Sequence, residues 1–222
     1  MIDAALQRKN MVESQVRPSD VTDRRIIRAM LDVPREAFVP TALKPIAYMD
    51  EGLTLVKAAG GNPARTMMAP RAFAKLLQLA EIGESDVVLD IGCGTGYSSA
   101  IIGKVALTVV ALEVDGELAE TATKTLAGLG YDNVAVVSGD LEVGYPSEGP
   151  YDAIVVEGAV ANVPAALLDQ LKDGGRLVAV VDGVPGRSAV WRRLGRNFDR
   201  REGVEMAAQV LPGFEVKPTF VF

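Results

Sequence analysis

Between residues 86 and 182, short apolar runs rich in β-branched residues alternate with segments of helical periodicity. Runs that are apolar throughout are typical of strands in a parallel sheet, because helices cover both faces of such a sheet. The alternation of strands and helices therefore predicts an α/β protein with a doubly wound, mostly parallel sheet. The five predicted strands are 86–91, 107–114, 133–140, 151–159 and 176–182.

Helices are also predicted before this region. Residues 1 to about 50 are polar and have helical spacing, with Thr22 or Asp23 as the cap of a second helix. The segment 51–70 is rich in Gly, Ala and Pro, which predicts a strand or loop with a mobile tip at 60–62. The other predicted helices are 70–82, which begins with a proline, 92–106, 115–131 and 163–175.

After residue 186 the pattern is less regular, and antiparallel strands over 188–196, 203–211 and 214–222 are expected to complete one edge of the sheet. A chain of 222 residues is long enough for one domain with a sizeable core. We therefore predict a single domain, 1–222, made of three parts. These are an N-terminal helical extension (1–82), a core of alternating strands and helices (83–185) and the C-terminal strands (186–222).

The composition excludes several kinds of chemistry. The chain has no histidine and a single cysteine, which rules out a Ser-His-Asp triad, an internal disulfide and a zinc site built on several thiolates. A net charge of −6 disfavours nucleic acid and anionic membrane as partners. No apolar stretch reaches the roughly 20 residues of a membrane span, and the N-terminal residues MIDAALQRKN lack the apolar centre of a signal peptide. We expect a cytoplasmic protein without metal, membrane or nucleic-acid partners.

The first strand of the core ends in a glycine-rich turn, within the sequence VVLDIGCGTGYSSAII over 87–102. Ligands of open α/β sheets bind beyond the carboxyl ends of the strands, so this turn is the expected nucleotide site. A phosphate-binding P-loop needs a lysine followed by serine or threonine after the glycines, and none is present. Gly92, Gly94 and Gly96 form G-x-G-x-G rather than the dinucleotide pattern G-x-G-x-x-G.

The acid two residues before the first glycine decides which nucleotide fits. Asp90 would repel a pyrophosphate, whereas it suits the ammonium and sulfonium groups of S-adenosylmethionine. Glu113 ends the second strand, where it can accept both ribose hydroxyls, and Asp140 follows the third strand, where it can accept from the adenine amino group. These acids predict S-adenosylmethionine as the cofactor. Cys93, inside the turn, is expected to be a small residue that fits there rather than a reactive thiol.

The turn resembles the D/E-x-G-x-G-x-G signature of class I methyltransferases. Further blocks resemble one family of these enzymes, the protein-L-isoaspartate O-methyltransferases, and together they cover most of residues 10–182. These blocks are MVESQVRPSDVTDRRIIRAMLDVPREAFVP (11–40), AYMDEGL (47–53), LGYDNV (129–134) and LLDQLKDGGRLVAVV (167–181).

The resemblance implies a Rossmann-like class I methyltransferase fold in which the core, 83–185, binds S-adenosylmethionine, with Leu141 and Met68 also in the cofactor site. It implies methyl transfer to the α-carboxylate of an isoaspartyl residue, which starts the repair of damaged proteins and peptides. This reaction needs no histidine, because a carboxylate with a reference pKa of about 4 is already ionised at neutral pH. The enzyme has mainly to align the reacting atoms and exclude water.

The chain departs from the family pattern near the acceptor. The family usually reads T-I-S-Q-P, with a serine that touches the reacting carboxylate, where this chain reads TMMAP over 66–70 and has Met68 in place of that serine. At the end of the fourth strand the family tends to have V-T-A-A, whereas VEGA puts Glu157 at the mouth of the site. The loop 54–65 is also several residues longer than in the family, and the ending GFEVKPTFVF differs from the usual one.

Thr66, Arg65 and Glu157 are the predicted catalytic residues. A charged Glu157 would repel a carboxylate acceptor unless it pairs with Arg65 or Arg71. Alternatively, Arg65 binds the acceptor carboxylate itself through two hydrogen bonds. Two other readings stay open: a methyltransferase of the same fold whose acceptor is an amine, hydroxyl or small acid that Glu157 orients or deprotonates, and a non-catalytic protein that binds the cofactor.

Overall fold

The computed structural model of the protein describes residues 3–59, 63–183 and 185–215. The strands are β1 (Leu53–Val56), β2 (Arg65–Met67), β3 (Val87–Ile91), β4 (Thr108–Glu113), β5 (Val134–Ser138), β6 (Tyr151–Val160), β7 (Leu171–Val181), β8 (Arg187–Leu194) and β9 (Asn197–Glu205). The helices are α1 (Ala4–Met11), α2 (Arg24–Asp32), α3 (Pro70–Leu79), α4 (Tyr97–Gly103), α5 (Gly116–Gly128) and α6 (Ala165–Leu168).

The predicted doubly wound, mostly parallel α/β sheet is confirmed. Seven strands pair in the order β5-β4-β3-β6-β7-β8-β9, with β3 to β7 parallel and with β8 and β9 antiparallel at one edge. Along β6, Ala153 and Val155 pack into one buried cluster, whereas Ile154 and Val156 pack into a second cluster on the opposite face. Because both faces are buried, successive residues of a strand are apolar, which is the pattern seen in the sequence.

The predicted N-terminal helices are present, and the segment after them contacts the glycine-rich turn. Helix α2 begins after Asp23, whose carboxylate accepts a hydrogen bond from the backbone N of Arg25 at 2.8 Å, so Asp23 rather than Thr22 is the cap. A 3₁₀ turn, Arg35–Phe38, follows α2. The hydroxyl of Thr95 donates to the Phe38 carbonyl oxygen at 2.5 Å, which ties this turn to the loop between β3 and α4.

The Gly- and Ala-rich segment before α3 forms a short antiparallel pair of strands. In this pair, Leu53 of β1 lies opposite Met67 of β2, and Thr54 lies opposite Thr66. The pair is separate from the main sheet. It carries Arg65, the first residue of β2, to the carboxyl end of β4, as described below.

The predicted helix over 163–175 is wrong beyond its first turn, because α6 ends at Leu168 and β7 begins at Leu171. The cause lies in the two glycines that end the segment. At Gly175, an added Cβ atom would lie 2.9, 3.0 and 3.2 Å from three backbone oxygen atoms, so β6 and β7 approach each other too closely for a side chain. Gly174 has a φ of +79°, which is incompatible with a helix.

The end of the chain also departs from the prediction. The last antiparallel strand, β9, ends at Glu205, so the strand predicted over 203–211 is wrong for most of its length. The chain instead runs beside the end of β6, where Ala159 N donates to Gln209 O at 2.8 Å and Leu211 N donates to Ala159 O at 3.0 Å. Periodicity does not reveal this placement, because it depends on one tertiary pairing between distant segments.

Two predicted features lie wholly or mostly outside the described residues. These are the mobile tip at 60–62 and the strand over 214–222, of which the structure describes the first two residues. Within the described ranges, none of the helices has the length and apolar character needed to cross a membrane.

Arg176 of β7 connects several parts of the fold. Its guanidinium lies 2.6 Å from Asp86 Oδ2, donates to Asp152 O at 3.0 Å and donates to the carbonyl oxygen of Ala80 after α3. The side chains of Arg176 and Asp86 are only 11% and 14% exposed. Removal of the guanidinium would therefore leave the mostly buried Asp86 carboxylate without this cation, and the carbonyl groups of Ala80, Glu81 and Asp152 without this donor.

We expect Arg176→Leu to lower the free energy of unfolding by about 3 kcal/mol, the usual cost of removing one partner of a buried ion pair. Arg192 of β8 lies opposite Arg176 and pairs with Glu81, but the side chains of both Arg192 and Glu81 are exposed. Arg192→Leu is therefore a matched control that should cost less than about 1 kcal/mol. Urea unfolding followed by circular dichroism measures both losses, and equal losses would contradict the expectation.

Candidate active site

Carboxyl side chains from three neighbouring strands meet at the carboxyl edge of the sheet. Ile91, the last residue of β3, is level with the residues that immediately precede Glu113 in β4 and Glu157 in β6. These two acids therefore flank Gly92, and Asp90 lies one residue further back in β3. Asp90 and Glu113 are 0% exposed and Glu157 is 7% exposed, so the structure gathers three buried acids at the start of the glycine-rich turn.

The glycine-rich turn requires glycine for both conformation and space. Gly92, Gly94 and Gly96 have φ values of +79°, +58° and +94°, a region that other residues rarely adopt. An added Cβ atom would lie 2.9 Å from Leu126 Cδ1 at Gly96 and 3.0 Å from Leu55 Cδ1 at Gly94. The turn is thus packed between α5 and the β1–β2 pair.

Asp90 keeps one oxygen atom free. Its Oδ2 accepts hydrogen bonds from the hydroxyls of Ser98 at 2.7 Å and Ser99 at 2.5 Å, whereas its Oδ1 is buried without a partner among the described residues. Burial raises the pKa of Asp90 to about 7; the two serine hydroxyls oppose this rise, and the charge of Glu113 adds to it. A buried carboxyl group with a free oxygen favours a cationic partner, so it fits the ammonium group of the predicted cofactor.

Glu113 accepts hydrogen bonds from four N–H groups. Its Oε1 accepts from the backbone N of Val114 at 2.9 Å and of Asp115 at 3.0 Å. Its Oε2 accepts from the backbone N of Gly94 at 2.8 Å and from Arg65 Nη2 at 2.7 Å. The guanidinium of Arg65 therefore lies where the sequence predicts ribose hydroxyls.

The structure pairs neither of the two suggested arginines with Glu157. Arg65 contacts Glu113 instead, and Arg71 lies 3.2 Å from Asp50 with its own side chain 59% exposed. The two arginines belong to different elements, because Arg65 is the first residue of β2 and contacts the end of β4, whereas Arg71 belongs to the first turn of α3.

Glu157 is buried without a hydrogen-bond partner for its Oε1 among the described residues. Burial raises the pKa of Glu157 well above its usual range, the charge of Asp90 raises it further, and the charge of Arg35 opposes the rise. The physical cause is the loss of water around a carboxyl group that gains no compensating donor. The protonated, neutral form of Glu157 is therefore favoured in this site.

Arg35 is a site residue that sequence reasoning missed. It is fully buried, donates from Nε to Ala47 O at 2.8 Å and from Nη2 to Met68 O at 2.7 Å, and lies 4.6 Å from the centre of the Tyr97 ring. Its Nη1 atom has no partner among the described residues. The available signal was an arginine within the apolar block VPREAFVP, since a charged residue is buried only where its surroundings bind it.

A small cavity lies beside the glycine-rich turn, and its lining includes Arg65, Thr66, Met68, Cys93 and Glu157. The three predicted catalytic residues and three of the predicted cofactor residues, Met68, Gly92 and Gly94, therefore border the same space. Its volume is about 20 Å³, room for little more than one water molecule. Burial raises the pKa of the Cys93 thiol, which agrees with an unreactive, space-filling role.

The other two predicted cofactor residues follow β5. Asp140 is exposed, whereas Leu141 is 2% exposed and packs into the same buried cluster as Leu112. Neither is among the residues that line the small cavity. Their contact with adenine stays a prediction.

Comparison with known proteins shows the family. A sequence model described as protein-L-isoaspartate(D-aspartate) O-methyltransferase (PCMT) matches residues 6–210. The chain belongs to this family. It is 38% identical over 187 residues to the protein-L-isoaspartate O-methyltransferase of Koribacter versatilis, over 84% of this chain and 81% of that protein. It is 41% identical over 175 residues to the enzyme of the same name from Methanoculleus marisnigri, over 79% of this chain and 77% of that protein.

Solved structures agree with this assignment. A protein-L-isoaspartate O-methyltransferase superposes with a TM-score of 0.81 and 27% identity over 93% of this chain and 66% of that chain. A Plasmodium falciparum protein described as a beta-aspartate methyltransferase (PCMT), crystallised with S-adenosyl-L-homocysteine, shares the fold with a TM-score of 0.74 and 20% identity, over 92% of this chain and 97% of that chain. The predicted family, the Rossmann-like fold and the S-adenosylmethionine-dependent methyltransferase class are confirmed.

The raised pKa of Glu157 predicts a pH-dependent effect of Glu157→Gln on stability. Above the ordinary value of 4.5, the unfolded chain loses a proton that the folded chain retains, so this residue makes the wild type less stable as the pH rises toward the folded pKa. Glutamine does not titrate, so the stability of the variant relative to wild type should increase from about pH 5 to about pH 8. Urea unfolding at both pH values measures the difference, and a pH-independent difference would contradict the expectation.

Proposed function

We propose that this protein transfers the methyl group of S-adenosylmethionine to the α-carboxylate of isoaspartyl residues in damaged proteins and peptides. The observation that carries the proposal is the family match over residues 6–210, which includes the sheet and the N-terminal part that encloses the buried acids. The reaction also suits a chain without histidine, because the acceptor is already ionised at neutral pH. A cytoplasmic location and the absence of metal, membrane and nucleic-acid partners stay predictions.

The buried polar groups suit the amino-acid end of the cofactor. Asp90 offers a free oxygen to an ammonium group, and Arg35 offers a free N–H group to a carboxylate. Glu113, Asp140 and Leu141 belong to the side where we expect the ribose and adenine. When bound, S-adenosylmethionine supplies a methyl group on a sulfonium centre, whose leaving group is a neutral thioether.

The residues of the chain have to hold the acceptor carboxylate in line with the methyl group and exclude water. Thr66 and Glu157 line the small cavity, together with the buried, apolar side chain of Met68. A neutral Glu157 does not repel an anionic acceptor and can donate a hydrogen bond to it. The raised pKa thus makes Glu157 compatible with a carboxylate substrate.

Glu157 Oε1 has no hydrogen-bond partner among the described residues, and this observation favours a second candidate function. An acceptor with its own N–H or O–H group would supply that partner. Glu157 would then orient or deprotonate an amine, a hydroxyl or a small acid within the same fold. A non-catalytic cofactor-binding role would instead give cofactor binding without labelling of any acceptor.

An isoaspartyl peptide should accept methyl groups, while the same peptide with a normal aspartyl residue should not. The physical reason is that the α-carboxylate is free in the isoaspartyl form and is consumed by the peptide bond in the normal form. Release of S-adenosylhomocysteine measures turnover, with a reaction lacking peptide as the background. Background-level release with both peptides would refute the isoaspartyl activity and leave the second candidate.

The affinity for S-adenosylhomocysteine, which retains the ammonium group, should rise between about pH 6 and about pH 8. The pKa of Asp90 is about 7 in the free protein, and an ammonium partner lowers it, so binding releases a proton below that pH. Calorimetry in buffers with different ionisation enthalpies measures the released proton. Asp90→Asn should bind at least about tenfold more weakly, the loss of a charge-assisted contact, and without this pH dependence. An affinity of the wild type that does not change with pH would contradict this role.

A further inference from the structure

Arg65 is hydrogen-bonded to Glu113, the carboxylate that the ribose of the cofactor is expected to bind. Its Nη2 atom donates to Glu113 Oε2 at 2.7 Å and to Gly92 O at 3.3 Å. The side chains of the pair are 5% and 0% exposed. The other hydrogen bonds to Glu113 within the described residues come from backbone N–H groups, so Arg65 is the partner that can leave without unfolding the turn.

Arg65 also lines two cavities. One is the cavity of about 20 Å³ that Met68 and Glu157 line, and the other is a cavity of about 210 Å³ that Val114 and Asp115 line. Both cavities include Arg65 in their walls. A small-molecule site usually has roughly 300 to 1,000 Å³. Neither cavity alone has the volume for a nucleoside joined to an amino acid, and Arg65 is a residue that both walls share.

The contacts that hold Arg65 are incomplete. A guanidinium has five N–H groups, and in Arg65 the Nε and Nη1 atoms are buried without partners among the described residues. Buried donors without acceptors weaken a buried ion pair, because their desolvation is not compensated. Arg65 also belongs to a three-residue strand that pairs with β1 and not with the main sheet. Its guanidinium can therefore change partner while the sheet stays intact.

We propose that Arg65 binds two carboxylates in turn: Glu113 in the free protein, and the α-carboxylate of the acceptor once the cofactor has taken Glu113. This inference rests on the proposed function, because the second carboxylate is that of the isoaspartyl acceptor. A ribose diol is neutral, so it replaces Arg65 on Glu113 without neutralising the guanidinium. The released cation then attracts an anionic acceptor, and its planar fork matches a carboxylate. Binding is ordered, with the cofactor first.

Calorimetric titration with S-adenosylhomocysteine tests the first contact. In Arg65→Gln the competitor for Glu113 is removed, so the dissociation constant should fall about three- to tenfold. Arg71→Gln removes a neighbouring, exposed guanidinium that pairs with Asp50, and as the matched control it should bind like the wild type. Near-ultraviolet circular dichroism verifies that both variants are folded. Unchanged or weaker binding by folded Arg65→Gln would overturn the proposal.

A double variant adds a sharper test of the same contact. Glu113→Gln should weaken binding, since it removes the expected ribose acceptor. In that background, a further Arg65→Gln substitution should give no gain, because the two side chains no longer compete. A gain of the same size in both backgrounds would show that Arg65 acts elsewhere, and it would overturn the proposal.

Binding of an isoaspartyl peptide tests the second contact. The wild type should bind the peptide only when S-adenosylhomocysteine is saturating, and this measurement needs no variant. In Arg65→Gln the KM for the peptide should rise at least about tenfold, with a smaller change in kcat, because a charge-assisted contact to the acceptor is lost. Peptide binding by the wild type without S-adenosylhomocysteine, or an unchanged KM, would overturn the proposal.

These results separate the inference from the proposed function. If the wild type does not turn over the isoaspartyl peptide, the proposed function fails, whereas the S-adenosylhomocysteine affinities still report whether Arg65 competes for Glu113. If the wild type turns over the peptide and Arg65→Gln behaves like Arg71→Gln in both measurements, the proposed function stands and the exchange of Arg65 is refuted.

Discussion

The burial of three carboxyl groups around Gly92 is the constraint on which the site depends. Each group avoids an isolated buried charge in a different way. Glu113 accepts hydrogen bonds from four N–H groups. Asp90 accepts hydrogen bonds from two serine hydroxyls and has a raised pKa. Glu157 has a raised pKa, which favours its neutral form. An uncompensated charge away from water is costly. The three carboxyl groups at this edge of the sheet are therefore stabilised by protonation, by N–H donors or by a bound cation. A cofactor with an ammonium and a sulfonium group meets this need.

The two guanidinium groups near these acids, and part of their apolar cover, come from outside the alternating core. Arg35 lies in the turn after α2, Arg65 lies in the separate β1–β2 pair, and Leu211 arrives from the segment after β9. The core thus contributes the acids, while the flanking segments contribute the guanidinium groups and the apolar cover. This division explains why the family match has to extend well beyond the core for the site to be complete.

An exchange of Arg65 between two carboxylates would link the two halves of the reaction. A carboxylate acceptor needs no general base, so the chain has only to bring donor and acceptor together in a closed, dry space. While Arg65 is paired with Glu113, its positive charge is balanced, and this charge becomes available to an acceptor only when the methyl donor is bound. The charge balance of the site would then set the order of binding.

The sequence by itself determined the alternation of strands and helices, the glycine-rich turn and the cationic cofactor, because periodicity, positive φ and the charge of Asp90 are local properties. It did not determine that Arg65 pairs with Glu113 and Arg71 with Asp50 rather than with Glu157, because these pairings depend on how segments that are distant in the chain pack together. The helix wrongly predicted before β7 has the same physical origin, because the close approach of β7 to β6 requires glycine at position 175. Tertiary structure decided which charges meet, and that pairing is what governs access to the site.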